Sequence, residues 1–164
     1  ENVKLADLIA RKETFRTFLI TPPPSILQKW QDDAVFEMNI EAEMNIAVLR
    51  NPSQASTIQA FVVVPLKFLP SGLKILAASG FSYREALIPH QPKTGFARIN
   101  DDVIILRGER GAAKKITIPK HSETGLRVVI DIAEQIGSKP RLHVFATEQS
   151  KDWVCLIGKK ASLS

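Results

Sequence analysis

VFEMNIEAEMNIAVLR, Val35 to Arg50, carries the strongest periodicity in the chain. Phe36, Met38, Ile40, Ala42, Met44, Ile46 and Val48 are apolar, and Glu37, Asn39, Glu41, Glu43 and Asn45 alternate with them. A period of two over this length sends one set into a core and the other outward, the pattern of a long β-strand, bent or shared between two strands. Wound at about 3.6 residues per turn, the same residues would scatter Met, Ile and Glu over every face of a helix. Asn51-Pro52-Ser53-Gln54-Ala55-Ser56 then forms a turn cluster, and TIQAFVVVPL, Thr57 to Leu66, resumes as a second β run. The pair is expected as a hairpin with a long loop.

Toward the N-terminus, Leu5, Leu8 and Ile9 have helical spacing with Asp7 among them, so Leu5 to Arg11 reads as a short amphipathic helix. Thr21-Pro22-Pro23-Pro24-Ser25 stops any helix and enforces an extended passage. It divides an arm, residues 1–24, from a body, residues 25–160, with 161–164 as a tail. Toward the C-terminus, strands are expected at Phe96–Ile99, Val103–Arg107, Lys115–Ile118, Leu126–Ile132, Arg141–Thr147 and Trp153–Ile157, separated by Gly, Pro, Asn and Asp. Leu73–Ser79 fits a strand or a helical turn or two. About eight or nine strands with glycine and proline at the turns and no recurring helix predict an all-β sandwich or barrel.

The 164 residues suit one domain that buries a core without disulfides. Cys155, the single cysteine, excludes a disulfide-framed secreted module and fits a reducing compartment. No apolar run reaches the length of a membrane span, and the charged start lacks a signal-peptide pattern. Against 17 acidic residues stand 22 Lys and Arg, and the net charge of +5 favours anionic partners without naming one.

A search for chemistry returns little. In RLHVF, His143 falls on the face opposite Leu142 and Val144 and is expected as a solvated or interface histidine; His90 and His121 lie beside prolines in loops. No histidine or cysteine has a zinc-ligand spacing. Asp32-Asp33 and Asn100-Asp101-Asp102 precede β runs, where Asp and Asn make turns. Gly108-Glu109-Arg110-Gly111 lacks the strand-loop-helix context of a phosphate cradle and is expected as a hairpin turn. No nucleophile, base and orienting group can be nominated together, so an enzyme ranks third among the readings. Basic residues cluster on the arm (Lys4, Arg11, Lys12, Arg16), around the glycine turn (Arg107, Arg110, Lys114, Lys115) and at the end (Lys159, Lys160). Basic arms neutralise phosphates without reading sequence, and the arm residues Lys4, Arg11, Lys12 and Arg16 are the candidate nucleic-acid contacts.

Taken in order, four segments resemble the capsid jelly rolls of picorna-like viruses. LADLIARKETFRTF (5–18) resembles the segment before the first strand, and EMNIEAEMNIAVLRNPSQASTIQAFVVVPL (37–66) the C strand, polar loop and D strand. IPHQPKTGFARINDDVIILRGERGAAKKITIP (88–119) and GLRVVIDIAEQIGSKPRLHVFAT (125–147) resemble the stretch and hairpin that follow. The short domain points to the small coat proteins of plant secoviruses such as cheraviruses. The resemblance implies an eight-stranded antiparallel jelly-roll β-sandwich with a short N-terminal helical arm. It implies a non-enzymatic shell subunit of an icosahedral positive-strand RNA virus, cut from a polyprotein, which would explain Glu1. Its expected partners are companion capsid proteins and viral genomic RNA, with no cofactor, membrane or small-molecule substrate; its expected location is the virion, and the host cytoplasm during assembly. Val35, Ile26, Leu27, Phe81 and Ile88 are candidate subunit contacts. The alternative is a trimmed cellular or bacterial β-sandwich domain that binds peptide or carbohydrate.

Overall fold

Thr17-Phe18-Leu19-Ile20 lies in the middle of a sheet and is buried along its whole length. In the computed structural model, residues 2–3, 7, 10, 14–32, 57–88, 103–111 and 126–156 are described. Among these residues seven strands form one sheet: β1 (Asn2–Val3), β2 (Thr17–Ile20), β3 (Thr57–Pro65), β4 (Ser82–Leu87), β5 (Val103–Gly111), β6 (Arg141–Val144) and β7 (Val154–Leu156). Their order is β1-β7-β6-β2-β3-β5-β4. The first five in that order are mutually parallel, and β5 runs antiparallel to both β3 and β4.

Among the described residues, α-helices cover both faces. On one face α1 (Pro24–Asp32) and α2 (Leu69–Ala78) lay Leu27, Ile75 and Leu76 against Phe18, Ile20, Ala60, Val62, Val64, Leu106, Leu142 and Val144. On the other, α3 (Leu126–Ile136) lays Val129, Ile130, Ile132, Ala133 and Ile136 against Leu19, Phe61, Ile105, Trp153 and Cys155. A sheet buried on both faces produces continuous apolar strands rather than alternating ones, which is why TFLI and AFVVV read as they do.

This architecture corrects the expected jelly roll. The sheet is single, mostly parallel and sandwiched between helices, because parallel neighbours need long crossovers that can hold helices, whereas a jelly roll is closed by antiparallel hairpins. β3 falls on the expected Thr57–Leu66 run, but its sheet neighbours are β2 and β5. Thr17–Ile20, expected within an N-terminal arm, is the central strand. Leu126–Ile132, expected as a strand for its Val and Ile, belongs to α3: Leu126, Val129, Ile130, Ala133 and Ile136 recur at helical spacing. Leu73–Ser79 belongs mainly to α2. The long alternating stretch Val35–Arg50 and the expected strands Phe96–Ile99 and Lys115–Ile118 lie outside the described residues. Of the expected Leu5–Arg11 helix, Asp7 and Ala10 are described, both helical and exposed.

Gly108-Glu109-Arg110-Gly111 is not a hairpin turn but the end of β5. A side chain on Gly108 would stand 3.0 Å from Leu76 and 3.1 Å from Phe81, so this glycine lets the α2–β4 corner close onto the sheet. Two members of the basic cluster expected around it, Arg107 and Arg110, are absorbed by structure, and Lys114 and Lys115 lie outside the described residues. Arg107 is buried in an ionic cluster, and Arg110 lies over the Phe81 ring at 4.5 Å and donates to Ser79 O at 2.8 Å. Among the expected subunit contacts, Leu27 and Phe81 are core residues and Ile88 is exposed; Val35 lies outside the described residues.

Candidate functional site

In an open α/β sheet, ligands bind beyond the carboxyl ends of the strands, where neighbouring strands lead off in opposite directions. Here that place lies between β2 and β6. From β2 the chain leads through α1 to β3 on one side, and from β6 it leads to β7 on the other. The crevice is therefore edged by Thr21-Pro22-Pro23-Pro24 after β2 and Phe145-Ala146-Thr147 after β6.

The two edges are tied together. Thr21 N–H donates to Val144 O at 3.2 Å, and Thr21 Oγ1 stands 2.8 Å from His143 Nε2 and 3.4 Å from Phe145 O. Phe145 holds φ at 64°, a left-handed conformation that costs a non-glycine residue about 1–2 kcal/mol. Pro23 O accepts from the amides of Ile26 and Leu27 and so starts α1. The three consecutive prolines carry no N–H, so the strap between β2 and α1 can accept hydrogen bonds through its carbonyls but donates none from those residues. It is suited to an amino group and unsuited to cradling an anion.

His143, expected as a solvated or interface histidine, is 1% exposed. Alternation placed it correctly on the face opposite Leu142 and Val144, but α3 covers that face, and the ring packs edge-on to Trp153 with centroids 6.2 Å apart. Its Nδ1 is one of the buried side-chain atoms without a partner among the described residues. A buried unpaired acceptor is less anomalous than a buried unpaired donor. We therefore assign the proton to Nε2, donated to Thr21 Oγ1, whose hydroxyl then faces Phe145 O.

Burial holds the His143 imidazole at about 4, below its ordinary 6.5. Between those values the unfolded chain takes up a proton that the folded chain excludes. His143 therefore leaves stability intact above about pH 6.5 and lowers it progressively as pH falls to about 4, by about 3 kcal/mol in all. Denaturation measured across this range should show that slope in the wild type and a flatter one in His143→Gln, whose amide can still donate to Thr21. Equal slopes in the two proteins would remove the assignment.

Of the nucleic-acid contacts expected from sequence, one is among the described residues. Arg16 is exposed at the amino end of β2, and Lys4, Arg11 and Lys12 lie outside the described residues. His90, His121 and Asn100-Asp101-Asp102 lie outside them too. Among the described residues no group of His, Cys, Asp or Glu could hold a metal ion, and no helix is long and apolar enough to cross a membrane.

A three-layer α/β sandwich with a crevice at the carboxyl edge of a mostly parallel sheet has solved counterparts. This chain is similar to M1.HpyAVI, with a TM-score of 0.59 over 98% of this chain and 92% of that one. It is similar to the M1.HpyAVI-SAM complex with a TM-score of 0.56 over 94% and 88%, and the identity is 12% in both cases. No family model and no curated protein matches the sequence. M1.HpyAVI is a DNA methyltransferase. At this identity the likeness speaks for the fold, and it overturns the capsid reading with its coat-protein and genomic-RNA partners. The β-sandwich binding domain falls with it. The expectation of a non-enzyme, which came with the capsid resemblance, is withdrawn with it; the solved counterpart is a DNA methyltransferase.

Proposed function

We propose that this chain is a SAM-binding methyltransferase domain that acts on nucleic acid, with its ligands in the crevice between the carboxyl ends of β2 and β6. The likeness to the M1.HpyAVI-SAM complex over 94% of the chain carries this reading, and the chemistry of the crevice supports it. The carbonyls of the proline strap suit amino groups, which both SAM and the nucleobases possess. SAM, when bound, supplies an electrophilic methyl group on its sulfonium. The strap's part is to accept hydrogen bonds from the N–H groups of an acceptor amine and fix the direction of its lone pair. His143, neutral and hydrogen-bonded to Thr21, holds the strap against β6.

The test is titration with SAM, followed by incubation of the protein with radiolabelled SAM and DNA. Thr147 is exposed at the crevice edge. Thr147→Arg places bulk and positive charge opposite a positively charged ligand, and SAM affinity should fall about ten-fold, or about 1.4 kcal/mol, with the melting temperature unchanged. Label should enter the DNA with wild type and, at SAM concentrations below the wild-type Kd, about ten-fold more slowly with Thr147→Arg. Failure of the wild type to bind SAM would overturn the reading.

A further inference from the structure

A cavity of about 440 Å³ opens at the opposite edge of the sheet, where β6 and β7 begin. It is lined by Lys139, Pro140, Arg141, Asp152, Trp153 and Val154. Arg141 and Val144 mark the two ends of β6, so cavity and crevice stand about 10 Å apart along the strand.

Arg141 is anchored there. Its Nη2 donates to Glu134 O and Gly137 O, both at 3.1 Å, which caps the last turn of α3, and its guanidinium lies over the Trp153 ring at 5.9 Å. Its Nε is enclosed by protein and has no partner among the described residues. Lys139 Nζ stands 3.0 Å from Asp152 Oδ1, with the two side chains 60% and 44% exposed. A pair so open to solvent contributes little and is readily exchanged for another anion. The hydrogen bond from Lys139 holds the Asp152 carboxyl below its usual value, helped by the charges of Lys139, Lys151 and Arg141; three cations thus act on one point. Exposed Arg16 flanks this edge of the sheet, its backbone N–H donating to Pro140 O at 2.9 Å. The next carboxylate, Glu134, accepts from Trp153 Nε1 at 2.9 Å.

We propose that this cavity binds a phosphate group, of a DNA strand or of a free nucleotide, with Lys139 and Arg141 as its charge partners and Asp152 as the carboxylate that the phosphate replaces. The arrangement matches what phosphate contacts require: a fixed guanidinium, a mobile ammonium and a third cation at the rim. The site does not rest on the methyltransferase reading, and its test uses no SAM.

Binding of a fluorescein-labelled DNA oligonucleotide is read by anisotropy, and binding of AMP by calorimetry, in wild type, Lys139→Glu and Asp152→Asn. Both substitutions fall on exposed side chains. Lys139→Glu should weaken binding about ten-fold, and Asp152→Asn should strengthen it a few-fold. In Arg16→Ala, the salt dependence of DNA binding should become shallower by about one ion. Effects in the DNA arm alone identify a strand phosphate as the ligand, and equal effects with AMP identify a nucleotide. DNA and AMP affinities that match wild type in both charge variants would overturn the proposal, as would binding of inorganic phosphate with neither DNA nor AMP.

Discussion

Glu109→Ala is expected to lower the stability of the protein by about 3–5 kcal/mol, read from urea denaturation. Glu109 is 1% exposed and Arg107 5%, side by side on the α3 face of β5. Arg107 Nη1 donates to Glu109 Oε1 and, at 2.9 Å, to Gln59 Oε1; Gln59 Nε2 donates to Glu109 Oε1 at 3.0 Å. Arg107 Nε reaches Glu85 Oε1 at 2.7 Å. A register shift between Tyr83 and Glu85 makes Arg84 the extra residue of the edge strand β4, and its Nε meets Glu109 Oε2 at 3.2 Å. A bulge that re-aims one side chain thus closes the cluster. Among the described residues two arginines stand against two glutamates, and this balance is lost once Glu109 is gone. The cost comes from stranding a buried guanidinium, since a buried ion pair contributes little net stability over apolar residues of similar volume. Gln59→Leu, Arg107→Met and Glu109→Leu together should therefore lose far less than the single change. A triple variant as damaged as the sum of its parts would contradict this account.

Gly137→Ala should cost about 3 kcal/mol, or about 10 °C in melting temperature. A β-carbon there would fall 2.2 Å from Thr17 Oγ1, 2.5 Å from Thr17 Cγ2 and 2.9 Å from Thr17 Cβ. Neither side can yield cheaply. Gly137 is held by its N–H bond to Ala133 O at 2.8 Å and by Arg141, and Thr17 is fully buried, with its hydroxyl donating to Ser138 O at 2.7 Å. The glycine is therefore a contact requirement where the end of α3 crosses the start of β2. Thr17→Ala removes two of the three clashing atoms, so the double variant should be more stable than the two single losses predict, by at least about 1 kcal/mol. Simple additivity would mean that the helix end moves aside.

One physical assumption separates what was legible in the sequence from what was not. Thr57–Leu66, Val103–Arg107, Arg141–Thr147 and Trp153–Ile157 all coincide with strands, because β-branched runs between Gly, Pro and Asp mark extended chain in any sheet. The opposite face, however, was given to solvent. With α3 on that face, His143 is buried, Arg107 belongs to an ionic cluster, and TFLI, four residues without alternation, becomes the centre of the sheet. Thr21-Pro22-Pro23-Pro24 did announce a break, but the same residues that could bound an arm are also the turn from a central strand into α1. Nothing in a single sequence distinguishes the two. The apolar spacing of Leu126, Val129, Ile130, Ala133 and Ile136 did carry the helical signal, hidden by the strand preference of Val and Ile. The crevice itself left no motif, because what defines it is the order of strands across the sheet.

The most direct test of the central claim is to add SAM and follow backbone amides along the chain, by NMR chemical shift or hydrogen exchange. The account predicts changes at Thr21, at Ser25 to Leu27 and at Val144 to Thr147, the two edges of the crevice, with Ser138, Lys139, Arg141, Asp152 and Trp153 at the opposite edge unaffected. Changes confined to Lys139, Arg141 and Asp152, or none with SAM in excess, would contradict it.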